Sequence, residues 1–444
     1  MSIETLKARV RRQGDELPAI YGDIDFDLIP ERLALGPDDR SDLPAYVKVD
    51  RDELLADTEL VDLLVTATML GDVVCDAYVC LIPELGMQRL IEMVRVACRE
   101  GLDAVPDAPP ELVAFIESME AVPDWIDMDM VEVGARAERV GAALMSPFAI
   151  RGAFLATFIN EYAALPMAIT GSLSDKRAAK RVNETASFFA TTALPNGMDR
   201  HGPGFEAAAM VRLMHSMVRF NAVNRSKWDQ ARYGIPIPQV DQMPAGMIGP
   251  ALTAMRAVKA RRDFTPEERA TVETARYRCY LLGLPEELLP TDPQSIHRVF
   301  LARAATLRAG FDDSTCGALV RATMGAYLRP DRSLPNRIGE RIERSFSTAF
   351  FIRAFLGGDK ALAARMGVRL TPADVAVLAV AAPAIAGRLL VVQGLSKVGP
   401  LQGPVDAYVT RVLHQRLKAY GHPEFQTDAA TYTHARLSAT RTTA

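Results

Sequence analysis

The sequence predicts an all-α protein, and three observations support this class. Alanine, leucine, methionine and arginine, which favour helices, dominate from about residue 51 onward. Alternation of Val, Ile and Thr over strand-length windows is nearly absent. Helix-start signals recur, since Thr265-Pro266-Glu267-Glu268 combines a capping box with proline at the first helical position and Thr371-Pro372-Ala373-Asp374 repeats the pattern.

Periodicity and start signals together predict a series of helices along the chain. Placed to within a few residues, these helices cover 52–70, 87–101, 109–120, 128–146, 148–171, 175–194, 204–223, 265–283, 293–308, 314–328, 336–357, 372–396 and 403–419. No repeat of fixed period is visible, so a solenoid is not predicted. We expect one large helical body with an extended N-terminal arm over 1–50, a core over 51–283 and a C-terminal helical part over 284–444 packed on that core.

Composition and charge narrow the classes of function. The chain has 444 residues and a net charge of −4 at pH 7, so neither nucleic acid nor an anionic membrane surface is indicated as a partner. Six histidines and five cysteines provide too few ligands for a polynuclear metal centre or a zinc ribbon. The cysteines have no paired spacing, which indicates reduced, buried thiols in a reducing compartment.

No segment of the sequence predicts export or a membrane span. The N-terminal stretch MSIETLKARVRRQGDELP holds several arginines, but no apolar region follows it. The longest apolar run, Val375–Gly387, has thirteen residues and includes Pro383. It is too short to cross a bilayer and is expected to form a buried helix. We therefore expect a cytoplasmic protein without a stable membrane span.

The segment 206–221 places a histidine among small side chains. On a helix, the residues that share the face of His215 are small or β-branched: Ala208, Val211, Val218 and Ala222. Arg212 and Arg219 lie together to one side, so a flat macrocycle bound through His215 would meet low walls and a cationic edge for its propionates. The alternative is a buried histidine hydrogen-bonded to nearby backbone, with both arginines in solvent or in ion pairs. On the spacing alone, this structural alternative is favoured.

Glu161 lies on an otherwise apolar face of the helix predicted over 148–171. Such a carboxylate pairs with an arginine, is protonated with a raised pKa, or lies on a face that is exposed after all. In a dry pocket it could serve as a general base. Pro166 is expected to kink the helix near Tyr162, where a cavity could open. The structural alternative is an ion pair with an arginine that serves packing alone.

Arg181 and Thr185 are four residues apart on the helix predicted over 175–194, so their side chains share a face and can touch the same group. Phe188 and Phe189 extend this face toward the core. The alternative is a surface arginine beside a threonine that bonds to its own helix backbone.

A set of ordered motifs resembles those of the latex-clearing protein (rubber oxygenase) family and its MpaB-type oxygenase relatives. The motifs are Leu70-Gly-Asp-Val-Val-Cys-Asp76, Val122-Pro-Asp-Trp-Ile-Asp127, Arg181-Val-Asn-Glu-Thr185, Val211-Arg-Leu-Met-His215-Ser-Met-Val-Arg219, Trp228-Asp229 and Tyr233-Gly-Ile-Pro-Ile-Pro-Gln239. The resemblance covers roughly residues 60–275. It is weaker over the C-terminal third and absent from the N-terminal arm.

The resemblance implies a globin-like helical core, here within 51–283, that holds a non-covalent haem b. His215 would be the proximal iron ligand, Arg181 and Thr185 would lie near the haem pocket, and Glu161 would be the pocket base. The reaction of the rubber-cleaving members is oxidative cleavage of a C=C bond by dioxygen. The implied partners are therefore dioxygen and a small apolar or isoprenoid-like substrate.

One departure from the family pattern and two alternative hypotheses bear on this implied function. Some rubber-cleaving members use a distal lysine as sixth iron ligand, but no lysine occurs between Lys48 and Lys176. The resemblance therefore implies five-coordinate or water-ligated iron. The same proximal site would also serve a haem-binding sensor or carrier without oxygenase activity, and a helical protein that never binds haem is a third hypothesis. The remaining histidines are expected to have surface or packing roles: His201, His297, His414, His422 and His434.

Overall fold

The predicted all-α class is confirmed. The computed structural model describes residues 3–170, 175–226 and 228–421, and within these ranges the chain forms helices and connecting segments without a β-strand. The only extended pairings among the described residues are two isolated bridges, Leu33 with Leu307 and Ser41 with Arg308.

The helices, numbered in chain order, have the following bounds: α1 Ile3–Glu16, α2 Pro18–Tyr21, α3 Arg51–Leu55, α4 Thr58–Ala67, α5 Val73–Val79, α6 Ile82–Leu85, α7 Met87–Glu100, α8 Pro110–Glu120, α9 Met128–Leu144, α10 Ser146–Leu155, α11 Glu161–Ile169, α12 Asp175–Thr192, α13 Pro203–Arg225, α14 Gln230–Tyr233, α15 Gln239–Gly246, α16 Ile248–Lys259, α17 Pro266–Leu281, α18 Pro293–Thr306, α19 Ala318–Gly325, α20 Leu334–Phe355, α21 Lys360–Arg365, α22 Pro372–Ser396 and α23 Gly399–Tyr420. Short 3-10 or π turns lie at Leu102–Ala104, Ala156–Phe158, Glu286–Leu288 and Asp313–Gly317.

Two of the predicted helices are each divided by a side-chain cap. The helix predicted over 52–70 is α3 and α4, because Asp57 accepts a hydrogen bond from the Leu60 amide and starts a new helix. The helix predicted over 148–171 is broken before α11, where Asn160 accepts from the Tyr162 amide. The break therefore precedes the kink expected near Tyr162, and Pro166 lies inside α11.

The expectation of an extended arm over 1–50 is wrong for its first part, because residues 3–21 are helical. Leu6, Val10 and Gln13 of α1 recur on one face and are buried. The Gln13 amide donates to the Met69 carbonyl and accepts from the Gly71 amide, which ties α1 to the segment before α5. Residues 22–50 are largely irregular, and residues 32–42 lie along the end of α18, where the Ala34 amide donates to the Thr306 carbonyl.

The helix α13 occupies the centre of the fold. It packs against α5, α7, α12 and α17, while α20 packs on α10 and α23 packs on α9. A close crossing joins α9 and α17, where a Cβ atom at Gly134 would overlap the Ala270 carbonyl oxygen. The Thr274 hydroxyl donates to the Val131 carbonyl at 2.8 Å in the same crossing. The neighbouring helices hold α13 on several sides and so determine the positions of its side chains.

The helix α22 is not the buried helix that its apolar run predicted. Its bounds agree with the prediction of 372–396, but only 6% of its most apolar stretch is buried. Among the described residues, α22 is the single helix that is long and apolar enough to cross a membrane. The helix α9 and the segment Ser146–Phe158, which is α10 with the turn after it, are long and apolar enough only when taken together. They meet at a bend of 91°. The run 375–387 is thus part of a longer apolar helix.

Candidate functional site

The Met214 and His215 side chains border accessible space along the central stretch of α13, and this space is called the recess below. Of residues 207–222, only Met214 and His215 are not buried. Protein atoms surround the imidazole closely, yet part of its surface remains accessible. His215 therefore borders this recess and does not pack in a fully closed core.

A chain of hydrogen bonds determines which ring nitrogen of His215 carries the proton. Gln239 Nε2 lies 3.2 Å from the Gly71 carbonyl oxygen, which can only accept, so the amide nitrogen of Gln239 must point there. Gln239 Oε1 then accepts from Gln242 Nε2 at 3.1 Å. Gln242 Oε1 is left 2.8 Å from His215 Nδ1 and can only accept. Nδ1 therefore carries the hydrogen, and Nε2 keeps its lone pair.

The imidazole is neutral at physiological pH. Burial lowers the pKa of His215 to about 4, and the nearby Arg219 charge acts in the same direction. The hydrogen bond that His215 donates to Gln242 opposes both effects. A neutral imidazole with a lone pair on Nε2 is the form that binds iron or another transition metal.

Arg181 reaches the same recess from α12. Its Nη1 atom lies 3.1 Å from the Met214 sulfur, beside His215. The same guanidinium pairs with Glu184 at 3.2 Å, and the Glu184 carboxylate is buried. Thr185 is half-buried and lies one turn beyond Arg181 on the same helix face. The structure thus brings Arg181 next to His215, with Thr185 along the same side of α12.

Arg212 and Arg219 are each held in a buried ion pair with an aspartate of the α5 region. Arg212 binds Asp72 through two nitrogens, at 2.6 and 2.8 Å. Burial raises the pKa of Asp72, but Arg212 outweighs this effect and the pKa is lowered. Arg219 pairs with Asp76 and also donates to two backbone carbonyls. In the structure, aspartates neutralise both guanidinium charges. The contact of these arginines with propionates stays a prediction.

Glu161 lies in a different environment from His215. It is the first residue of α11, and its Oε2 accepts from Arg232 Nη2 at 3.1 Å. Burial raises the pKa of Glu161, partly offset by the Arg232 charge. Arg232 also stacks near the Tyr162 and Tyr233 rings. Among the described contacts, none joins the Glu161 carboxylate to His215, Arg181 or Thr185. The ion pair between Glu161 and Arg232 matches the structural alternative stated in the sequence analysis.

Sequence reasoning did not identify the residues that support His215. Gln239 closes the last motif quoted above and Gln242 follows one turn later on α15, but no local pattern links them to a histidine on α13. Glu184 lies within the Arg181 motif and received no role. Of the other histidines, His201 is hydrogen-bonded to the Cys98 carbonyl, while His422 and His434 lie outside the described residues.

The donor set at this recess suits a cofactor that brings most of its own metal ligands. Within the described ranges, no group of three or more His, Cys, Asp or Glu side chains could hold a bare metal ion. A haem needs one protein ligand on its proximal side, and His215 Nε2 is available for that role. The fold and site thus define a class of protein, a helical body that carries one partly accessible, neutral imidazole on its central helix.

Comparison with known proteins identifies the family. Residues 138–387, more than half of the chain, match the family model described as ER-bound oxygenase mpaB/B'/Rubber oxygenase, catalytic domain. The chain belongs to this oxygenase family, which confirms the resemblance drawn from the motifs. The matched range differs from the 60–275 indicated by the motifs. The motifs at 70–76 and 122–127 precede the matched range, and the helices α18 to α21 lie within it.

A solved structure shows the same fold. The structure of latex clearing protein LCP in the closed state aligns with a TM-score of 0.55 at 18% sequence identity. The alignment covers 79% of this chain and 91% of the LCP chain. At this identity the similarity establishes the largely helical fold alone. No curated protein sequence matches this chain significantly.

Proposed function

We propose that this protein is a haem b-dependent oxygenase that uses dioxygen to cleave a C=C bond in an apolar, isoprenoid-like substrate. The observation that carries the proposal is the environment of His215. Its Nδ1–H group donates to Gln242, its Nε2 atom is unprotonated, and its side chain borders the recess. The family assignment supports the oxygenase activity. When bound, haem would supply the iron centre at which dioxygen is activated.

The residues around the recess have separate proposed roles. His215 Nε2 would hold the cofactor, and Gln242 keeps the ring in the correct tautomer and orientation. Arg181 and Thr185 would place a positive charge and a hydroxyl beside the bound groups. For Arg212 and Arg219 we propose a positioning role, because their pairs with Asp72 and Asp76 tie α13 to the α5 region.

Glu161 is the proposed base. Its raised pKa makes the carboxylate a stronger proton acceptor than an exposed glutamate, and Oε2 is bound to Arg232, so Oε1 is the atom for an allylic proton. This role requires the substrate to reach from the recess to Glu161. Glu184 is the alternative carboxylate, because it is buried next to Arg181.

An absorption spectrum of the purified protein, oxidised and then reduced, tests the cofactor. We expect a haem Soret band that H215A abolishes. The half-buried His297 provides the control, since H297A should retain the band. Full haem content in H215A would refute the proximal assignment, and a protein that stays colourless after incubation with haem would refute haem binding.

Carbonyl products from a panel of isoprenoids test the activity and the base. We expect turnover by the wild type, and E161Q should keep the haem while turnover falls by roughly 100-fold or more, a loss in the range of general-base catalysis. If E184Q shows that loss and E161Q does not, the base is Glu184. A haem-loaded wild type that yields no carbonyl product from any panel member would favour the sensor or carrier alternative.

A further inference from the structure

The outward face of α22 is apolar without interruption. The less exposed apolar side chains recur at Leu378, Ile385, Leu389 and Val392 and form one stripe, in which Leu389 and Val392 pack on the body. On the opposite side, no charged residue lies within roughly 60° of Val380 around the helix axis. Val380 is 82% exposed, and Leu390 and Val391 are 66% and 60% exposed.

This pattern differs from that of an ordinary surface helix. A helix at the edge of a soluble protein has one apolar stripe toward the core and polar residues toward water. In α22 both sides are apolar, and a contiguous exposed apolar surface of this kind marks a binding site. Its length and composition suit a lipid environment, and it is neither a buried core helix nor an N-terminal signal segment.

The packing of α22 determines how it could meet a bilayer. The helix contacts α9, α20 and α23 along its length, and its N-terminus is anchored by a Thr371–Asp374 capping box. A helix attached to the protein along one side cannot be surrounded by lipid. It can lie in the plane of the membrane interface with its outward face in the acyl region.

Charge around the exposed face favours an anionic lipid surface. Residues 372–420 include five basic and two acidic side chains, although the whole chain is acidic. Both acidic groups are bound to the body, since Asp374 pairs with Arg341 and Asp406 pairs with Arg139. The exposed basic side chains of this stretch are Arg388, Lys397, Arg411 and Lys418, of which Lys397 pairs with Glu267 of α17. Anionic head groups attract such a surface.

Two other occupants fit the face less well. In a symmetric contact with a second copy, the basic side chains of two identical surfaces would approach one another, which is unfavourable. The C-terminal segment 422–444 lies outside the described residues. It has only three large apolar or aromatic residues in 23, namely Phe425, Tyr432 and Leu437. This segment offers less apolar area than α22 presents.

We propose that the outward face of α22 binds a lipid bilayer with anionic head groups and lies in the plane of its interface. The proposal does not depend on the haem or on oxygenase activity. It assigns the protein a peripheral membrane surface, through which an apolar substrate dissolved in the bilayer would be close to the protein.

Vesicle flotation with the full-length protein tests the proposal. We expect the protein to float with vesicles of phosphatidylcholine and phosphatidylglycerol, to float less with phosphatidylcholine alone, and to be released by high salt. V380E/V391E should reduce the bound fraction roughly tenfold, because two carboxylates enter the apolar face. The matched control is L334E/I338E, which alters two exposed apolar residues of α20 and should bind as the wild type does.

A second variant tests the charge separately from the apolar face. R388Q/R411Q should weaken binding to vesicles with phosphatidylglycerol and leave binding to phosphatidylcholine unchanged. Absence of vesicle binding by the wild type, or equal binding by V380E/V391E, would overturn the proposal. A wild-type dimer that V380E/V391E converts to a monomer, together with no vesicle binding, would assign the face to a second copy instead.

Discussion

The Nδ1 atom of His215 lies 2.8 Å from the Oε1 atom of Gln242, and this contact determines the tautomer of the histidine. The chain of hydrogen bonds ends at the Gly71 carbonyl, which cannot donate. The backbone before α5 thus sets the protonation of a side chain on α13. Hydrogen-bond partners of this kind typically change metal affinity 10- to 100-fold when removed.

Q242L removes the acceptor for the His215 proton while keeping a side chain of similar length. We expect haem affinity to fall roughly 10- to 100-fold, measured by haem transfer to a high-affinity acceptor protein. In the haem-free protein, ¹⁵N NMR of the imidazole should show a mixture of tautomers in place of one. The exposed Gln415 on α23 provides the control, and Q415L should change neither measurement. A single tautomer in Q242L would contradict the role assigned to Gln242.

The lowered pKa of His215 predicts a pH-dependent contribution to stability in the haem-free protein. The folded pKa of about 4 lies below the ordinary value of 6.5, so the unfolded chain takes up the proton first as the pH falls. The contribution is therefore present above about pH 6.5 and is lost as the pH falls toward about 4. Urea unfolding across this range should show a steeper acid loss for the wild type than for H215Q. H414Q, at an exposed position, should follow the wild type.

Two glycines of α9 give a matched test of the fold. A Cβ atom at Gly134 would overlap the Ala270 carbonyl and the Thr274 hydroxyl, whereas nothing lies within 4 Å of the corresponding position at Gly141. G134A should destabilise the protein by about 1–3 kcal/mol or more through overpacking of the α9–α17 crossing. G141A should be neutral or stabilising by up to about 1 kcal/mol, because alanine favours the helix. Equal thermal shifts for both variants would contradict the crossing.

The Arg219–Asp76 pair predicts a large effect on stability. Both side chains are fully buried, so R219L leaves an aspartate without its counter-charge and should cost about 3–5 kcal/mol in the free energy of unfolding. Urea unfolding measures this value. Arg11 pairs with Asp27 on the surface, and R11L should produce no measurable change because water screens that pair. A small effect of R219L would mean that water or another cation replaces the guanidinium.

Local signals accounted for much of the helical framework. The capping boxes at Thr265 and Thr371 mark the starts of α17 and α22 in the structure. Short helices such as α5 and α15 were missed, because a helix of about two turns contains too few residues to show a clear periodicity. The breaks at Asp57 and Asn160 were also missed, since an internal cap looks like any other polar residue until its partner amide is known.

The sequence alone determined the helical class and, through the resemblance of its ordered motifs, indicated the family. These properties follow from local spacing, which a linear pattern records. Only the tertiary structure decided that Gln242 sets the His215 tautomer, that Asp76 neutralises Arg219 and that α22 is exposed. The physical reason is that hydrogen-bond partners, counter-charges and burial depend on which distant segment lies opposite a side chain. Helical periodicity specifies a face but not its neighbour.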